Sequence, residues 1–396
     1  MTIATAWSTE PDPRLAFETA YLQLRAKLSG DASLLLVFHT ERYPAAELLA
    51  AVRALPPGVR VHATSSCAAV MTEEGFHGVD GRALGLWGLR DPEGAFGVGI
   101  ASLQPDPSRA AVQALEQALA EAGRPGEAPH MVWISAAPGS EEAVLAGIRE
   151  VLGNSVPVLG GTAGDNEGAG RWSVLTRQTA NADAIAISVL YSSHRMSSSF
   201  QSGYSPTEKR GHITAATGRV LQQIDGRPAA EVYNEWTGGL ISSMLGGGNL
   251  VTMTSFAPLG RVAGTVERIA YYQLSHLDAV TEDGGLSLFT EVHAGEDIWL
   301  MTGSRESLVS RAARVTSAAL ELDSVERSDV LGALVVYCAG CLRTVMDDMP
   351  RVVSGLNASL GGKPFLGGFT YGEQGCVVGR ESVHGNLMVS SIVFSR

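Results

Sequence analysis

Two groups of residues in this 396-residue chain have the types and spacing to do chemistry. The first is Cys338-Ala339-Gly340-Cys341, a spacing suited to thiol–disulfide exchange or to half of a zinc site. A structural zinc needs four soft ligands, and only Cys67 and Cys376 remain, both distant in sequence. A thioredoxin-like pair sits at a helix start with one exposed thiol of low pKa; the competing reading is a buried Cys338 thiol ending a strand. The second group is a pair of glycine-rich segments, Gly160-Gly161-Thr162-Ala163-Gly164-Asp165 and Gly367-Gly368-Phe369-Thr370-Tyr371-Gly372-Glu373. Backbone N–H groups at Gly161 and Gly368 could approach an anion, and Asp165 and Glu373, at equivalent places, could bind an amine if they face each other. Lying apart, each acid holds its own turn, and the glycines serve a sharp exit from a strand. Neither segment is a phosphate loop, because no Gly-Lys-Ser/Thr follows, and the dinucleotide spacing is incomplete.

The elements that position these groups recur three times. Apolar strands are expected at residues 34–38 and 61–67, at 131–135 and 156–161, and at 333–338 and 363–368, with helices between them at 45–52, 141–148 and 346–356. A strand, a crossover helix and a second strand imply parallel pairing. Each unit is introduced by a helix whose start is marked by Pro11-Asp12-Pro13, Pro105-Asp106-Pro107 with Ser108-Arg109-Ala110-Ala111, or Ser310-Arg311-Ala312-Ala313. From each Ser-Arg-Ala-Ala to its strand is about 23 residues. Further strands follow each turn, 83–87 with 96–100, 173–175 with 184–190, and 377–379 with 387–393, and the spacers 90–94 and 381–386 read as hairpin connections. The expected class is therefore α/β, with mixed sheets built from three repeated helix-strand-helix-strand-turn-hairpin units. An α+β segment from about 191 to 308 is inserted between the second and third. Within it, residues 213–226 read as two strands closed by Asp225-Gly226, Pro228 opens a helix, and 262–272 and 285–299 read as strands. Gly246-Gly247-Gly248 is a flexible joint.

Composition narrows the partners. A net charge of −12 without a local Lys/Arg cluster leaves no footprint for nucleic acid. No uncharged apolar run is long enough to span a bilayer, and the first seven residues lack a signal-peptide pattern, so a soluble cytoplasmic protein is expected. Four cysteines in this length do not make a disulfide framework. No Gly-x-Ser-x-Gly elbow or His-Glu-x-x-His helix is present, which argues against an enzyme; a hydrolase or transferase using the turn acids is the competing class.

The order and spacing of Gly160–Asp165, of Thr214 to Tyr233 with its Ile224-Asp225-Gly226-Arg227-Pro228-Ala229 core, of Cys338-Ala339-Gly340, and of Gly368 to Glu373 followed by His384 and Asn386 resemble the FIST family. The resemblance covers nearly the whole chain and implies an N-terminal FIST domain over 1–235, holding two units, and a C-terminal one over 236–396, holding the insert and the third. It implies an intracellular ligand sensor that signals to a separate protein. Some stand-alone members, the NosP-type branch, are haem-binding nitric-oxide sensors acting on a histidine kinase, and others were proposed to sense amino acids or other small metabolites. A second copy of the chain is a further candidate partner. The chain departs from the family pattern at Gly203-Tyr204, where Gly-Trp is common, and at Cys341, where a basic residue is usual.

If the resemblance extends to haem b, the iron needs an axial imidazole, thiolate or phenolate beside an apolar slot. Position favours His194, after the strand ending at Tyr191, and His384, in the resembling C-terminal segment, as ligands of that iron. His212, with Tyr204 nearby, and His293, among Phe289, Trp299 and Met301, complete the set. All four histidines could equally cap strand ends. Covalent attachment is excluded, since Leu342 rather than histidine follows Cys341.

Overall fold

Helix starts fall where the sequence supplies a cap. Asp12 accepts from the Leu15 amide at 2.8 Å ahead of Pro13, and Asp106 accepts from the Arg109 amide at 3.1 Å ahead of Pro107. The computed structural model describes residues 1–266, 268–377 and 381–396. The first unit comprises β1 Thr2–Ser8, α1 Pro13–Leu28, β2 Leu34–His39, α2 Ala45–Arg53, β3 Arg60–Ser65, β4 Val70–Thr72, β5 Gly75–His77 and β6 Leu84–Arg90. The second keeps this order: β7 Ala95–Ser102, α3 Pro107–Ala122, β8 Met131–Ala136, α4 Glu141–Leu152, β9 Val158–Thr162, β10 Val174–Thr176, β11 Ala180–Asn181 and β12 Ala184–Tyr191. The third opens with β13 Arg195–Ser202 and is then interrupted by the insert. The insert holds β14 Ser205–Thr217, β15 Val220–Ile224, β16 Arg227–Pro228, α5 Ala229–Trp236, β17 Gly248–Asn249, β18 Leu259–Val266, β19 Ile269–Ser275, β20 Leu277–Val280, β21 Leu286–Leu288 and β22 Asp297–Thr302. The third unit resumes with α6 Arg305–Leu322, β23 Val330–Cys338, α7 Ala339–Thr344, α8 Met349–Leu360, β24 Phe365–Thr370, β25 Glu373–Cys376, β26 Ser382–Gly385 and β27 Met388–Ser395.

Three six-stranded sheets share one plan: β1-β6-β2-β3-β10-β11, β7-β12-β8-β9-β25-β26 and β13-β27-β23-β24-β4-β5. The central pairs β2–β3, β8–β9 and β23–β24 are parallel, as the crossover helices require, and the remaining pairings are antiparallel. The last two strands of each sheet are borrowed. The second unit lends β10–β11 to the first sheet, the third lends β25–β26 to the second, and the first lends β4–β5 to the third. The inner faces of all three sheets meet in one core containing Leu36, Phe38, Trp87, Trp133, Leu159, Val336, Leu366 and Phe394. Their outer faces pack separately under α1 and α2, under α3 and α4, and under α6 and α8. Burial on both faces explains why the strands read as unbroken apolar runs rather than alternating ones.

Several sequence expectations are corrected. The spacer 90–94 is not a hairpin: β6 pairs with β1 and β2, whereas β7 pairs with β12 in another sheet. Glycines hold β7 there, because a Cβ at Gly97 or Gly99 would lie 1.9 Å from the Ala118 or Ala114 carbonyl oxygen of α3. Residues 381–386 are not a bare connection but contain β26, and Val378-Gly379 lies outside the described residues. Ser310 is not a helix start; α6 begins five residues earlier, where Ser304 and Ser307 cap each other reciprocally, and Arg311 falls mid-helix, fully buried. Gly160, Gly161, Gly367 and Gly368 lie within β9 and β24 rather than in turns. The insert is narrower than expected, running from β14 to β22, because β13 is the third unit's own opening strand. Among the described residues, no helix is long and apolar enough to cross a membrane.

Candidate functional site

The second unit, the insert and the third unit enclose a cavity of about 500 Å³. The second unit contributes Glu141, the first residue of α4, where an acid is favoured by the helix N-terminus. Glu141 is almost fully buried; it accepts from the Gly139 amide, from Thr162 Oγ1 at 3.1 Å, and from Arg219 Nη2 at 2.5 Å. Arg219 sits on the turn between β14 and β15, and the same nitrogen reaches Glu142 at 2.6 Å. Glu142 also accepts from the Glu291 amide and contacts His384 Nδ1, each at 3.0 Å. Burial opposes charge on both acids, yet the neighbouring imidazole and guanidinium hold both carboxyls below their ordinary range. Glu141, Glu142 and His384 offer donor atoms within 4.8 Å of one another, as a metal site would, but the Arg219 guanidinium already supplies the positive charge there.

The insert contributes His276, between β19 and β20, which is 4% exposed and tilted against Phe289 with ring centroids 6.1 Å apart. Its amide donates to Asn386 Oδ1 at 3.3 Å, its Nε2 has no hydrogen-bond partner, and burial pushes its pKa down to about 4. A neutral imidazole with one free nitrogen therefore borders the cavity. Asp278, from β20, adds a second acid.

The third unit contributes Arg343 at the end of α7, Cys338 and Tyr371. Arg343 donates to the Asn166 carbonyl at 2.6 Å and has no carboxylate partner among the described residues. Tyr371 donates to Asp165 and stands edge-on to Trp172, 6.2 Å between centroids. The cavity thus combines acids, an arginine lacking a carboxylate partner, a neutral imidazole and aromatic walls.

The residues expected from sequence are dispersed. His384 is buried, its Nδ1 on Glu142 and its Nε2 facing Gly372, so it supports the cavity wall from behind. His194 lies in an open groove with His130, Arg195 and Arg396, bonded to Ser193 at 2.8 Å. His212 is exposed and paired with Asp297 at 3.1 Å; His293 is exposed beside Glu296. Tyr204 is buried and donates to the Ser255 carbonyl at 2.6 Å. Asp165 and Glu373 do not face each other. Asp165 accepts from the amides of Glu167, Gly168, Ala169 and Arg171 and from Tyr371, which holds its own loop and keeps its carboxyl below the ordinary range despite burial. Glu373 is buried against Thr370 and the Met388 amide, and burial raises its pKa well above the usual value. Gly161 pairs with Glu373 across β9 and β25, and a Cβ there would meet Thr370 at 2.4 Å. Gly368 gives the same clearance to Phe38. These glycines therefore let the sheets approach rather than line the cavity. The expectations passed over His276, Arg343, Arg219 and Glu141. Of these only Glu141 carried a signal, an acid pair directly after Ser140 at a helix start.

The chain matches the FIST N domain over residues 33–227 and the FIST C domain over 229–376. It is 29% identical over 90 residues to an uncharacterized protein of Methanocaldococcus jannaschii, a match covering 22% of this chain and 18% of that protein. Among solved structures it is similar to the cyanuric acid hydrolase from A. caulinodans at 11% identity and a TM-score of 0.39, covering 100% of this chain and 99% of that one. A second cyanuric acid hydrolase gives 9% identity, the same coverage and a TM-score of 0.33. Because the two FIST domain matches together span most of its length, the chain belongs to the FIST family, whose domains are ligand-binding sensory domains of signal transduction.

Proposed function

We propose that the chain is a non-catalytic sensor whose ligand is a small amphoteric metabolite of the amino-acid class, held in the cavity between the second unit, the insert and the third unit. The carrying observation is the pairing, in one cavity of about 500 Å³, of the acid Glu141 with Arg343, which has no carboxylate partner among the described residues. A carboxylate suits Arg343, an ammonium suits Glu141, and Trp172 and Phe289 suit an apolar side chain. The ligand's ammonium would compete with Arg219 for Glu141. Arg219 is one of the insert's ties to the second unit, beside the Glu291 amide on Glu142, so this competition shifts the population towards a looser insert. A separate signalling protein such as a histidine kinase reads that change. Asp165, committed to four backbone amides, is poorly placed to act as a catalytic acid.

The test is a thermal-shift screen with the standard amino acids followed by calorimetry. The expected result is saturable stabilisation by one chemical subset, weakened about 10- to 100-fold by Arg343→Ala, the loss of one charged hydrogen bond. No stabilisation by any amino acid, or binding untouched by Arg343→Ala, refutes the reading. Haem is the second reading, favoured by the unpartnered Nε2 of His276. None of the five residues expected as haem ligands borders this cavity, so in this reading the ligand is His276 instead. A Soret band in haem-supplied protein that His276→Ala abolishes would establish haem over the metabolite; no band in such protein rejects it.

A further inference from the structure

Behind the cavity wall lies a second chemical group that ligand binding does not use. Cys338 ends β23 in an extended conformation and Ala339 begins α7, so Cys341 falls in the next turn of chain. Cys338, 4% exposed, borders the cavity, whereas Cys341 is fully buried behind it with Sγ 3.8 Å from the Tyr204 hydroxyl. The Cys338 thiol donates its hydrogen bond to the Cys341 sulfur, which raises the pKa of the first and lowers that of the second. Arg311, wholly buried in α6, lies with its guanidinium 4.5 Å over the Tyr337 ring and donates from one nitrogen to the Leu387 carbonyl at 2.7 Å. Its Nε and second Nη have no hydrogen-bond partner, and among the described residues it forms no carboxylate ion pair. A buried cation left so is costly unless an anion is near. Its strongest favourable electrostatic partner is Cys341.

We propose that Cys338 and Cys341 are a reversible dithiol/disulfide site, opened to small disulfides through the cavity and kept ready by Arg311. In the first step Cys338, once deprotonated to its thiolate, attacks one sulfur of a low-molecular-mass disulfide. That S–S bond breaks, a mixed disulfide forms at Cys338, and the departing thiolate takes the Cys338 proton. In the second step Cys341 gives up its proton, its thiolate favoured by Arg311, attacks the Cys338 sulfur and expels the second thiolate, which is protonated in turn. Two cysteine sulfurs are oxidised and one small disulfide is reduced to two thiols, so electrons and protons balance. The site does not depend on which ligand occupies the cavity.

The test treats the folded full chain with hydroxyethyl disulfide and maps peptides by mass. Residues 328–343, bounded by Arg327 and Arg343, carry both cysteines on one tryptic peptide. The expected product is that peptide lighter by two hydrogens, restored by dithiothreitol. Cys341→Ser should instead accumulate the hydroxyethyl adduct at Cys338, and Cys338→Ser should leave Cys341 unmodified. Arg311→Met, in which the buried cation is removed, should slow closure of the disulfide at least tenfold once circular dichroism shows it folded. Failure of the wild-type peptide to lose hydrogens, while the same reagent modifies it after denaturation, overturns the proposal. So does an adduct at Cys338 that Cys341 never resolves.

Discussion

Replacing Arg219 by alanine removes the guanidinium that joins the insert to the second unit. Glu141 and Glu142 offer oxygens within 4.8 Å of each other; two like charges at that distance repel by about 3.5 kcal/mol at an effective dielectric of about 20. In the wild type this repulsion is offset by contacts of 2.5 and 2.6 Å to one nitrogen. Breaking a buried pair by deleting one partner costs about 3–5 kcal/mol. The side chains of Arg219 and Glu142 are about one-fifth exposed, so screening trims the expected loss to about 2–4 kcal/mol. The sign with pH follows from the carboxyls. In the wild type both titrate below their ordinary values, so their contribution is present above the unfolded carboxylate pKa and lost as pH falls through the depressed one. Without Arg219, burial acts on Glu141 with less opposition and favours its neutral form. The gap between the two proteins should therefore widen as pH rises from about 4 to about 7. Urea unfolding by tryptophan fluorescence at several pH values measures this, with Arg219→Lys recovering part of the loss. A loss below about 0.5 kcal/mol, or one constant with pH, refutes the reasoning.

Asp165→Asn should cost about 1.5–3 kcal/mol, because it weakens a carboxylate that accepts four backbone amides. It should also remove a share of the acid-unfolding limb, since that carboxyl's contribution is lost as pH falls through its depressed value; acid titration by circular dichroism compares the two limbs. Gly99→Ala should destabilise by about 3 kcal/mol, as its Cβ would press to 1.9 Å on a helix carbonyl that cannot turn away; denaturant midpoints decide it. His276→Ala should change ligand affinity and also lower the urea midpoint, because it empties a buried site packed against Phe289; a lowered midpoint with unaltered binding, read by calorimetry, would make it a structural residue.

Much of the architecture was legible because it is local. Runs such as Leu34 to Phe38 are apolar on both faces, and the interval to their partner strands fits a crossover helix, so parallel pairing follows from sequence. Which sheet a hairpin joins is not local. Gly368 pairs with Val70 nearly 300 residues away, and its missing side chain leaves room for the Phe38 ring beside that pairing. The site was less legible still. His276 sits among strand residues like any structural histidine, and Arg343 resembles any helix-end cation. Their meaning comes from apposition across three segments, whereas His194 and His384 were favoured by position along the chain, which does not tell which way a side chain faces.

The exchange of strands also governs how the protein can be made. The pairing of β4 waits for β24, which leaves the ribosome after nearly 300 further residues, about 15–60 s of synthesis. Until then Val70 and Met71, both buried in the finished fold, are open to chaperones or to another nascent chain. The exchange of strands is complete only when the third unit arrives, so the N-terminal half alone lacks the partners of β4 and β9. A truncated N-terminal half would present the edges of β9 and β4 as sites for self-association.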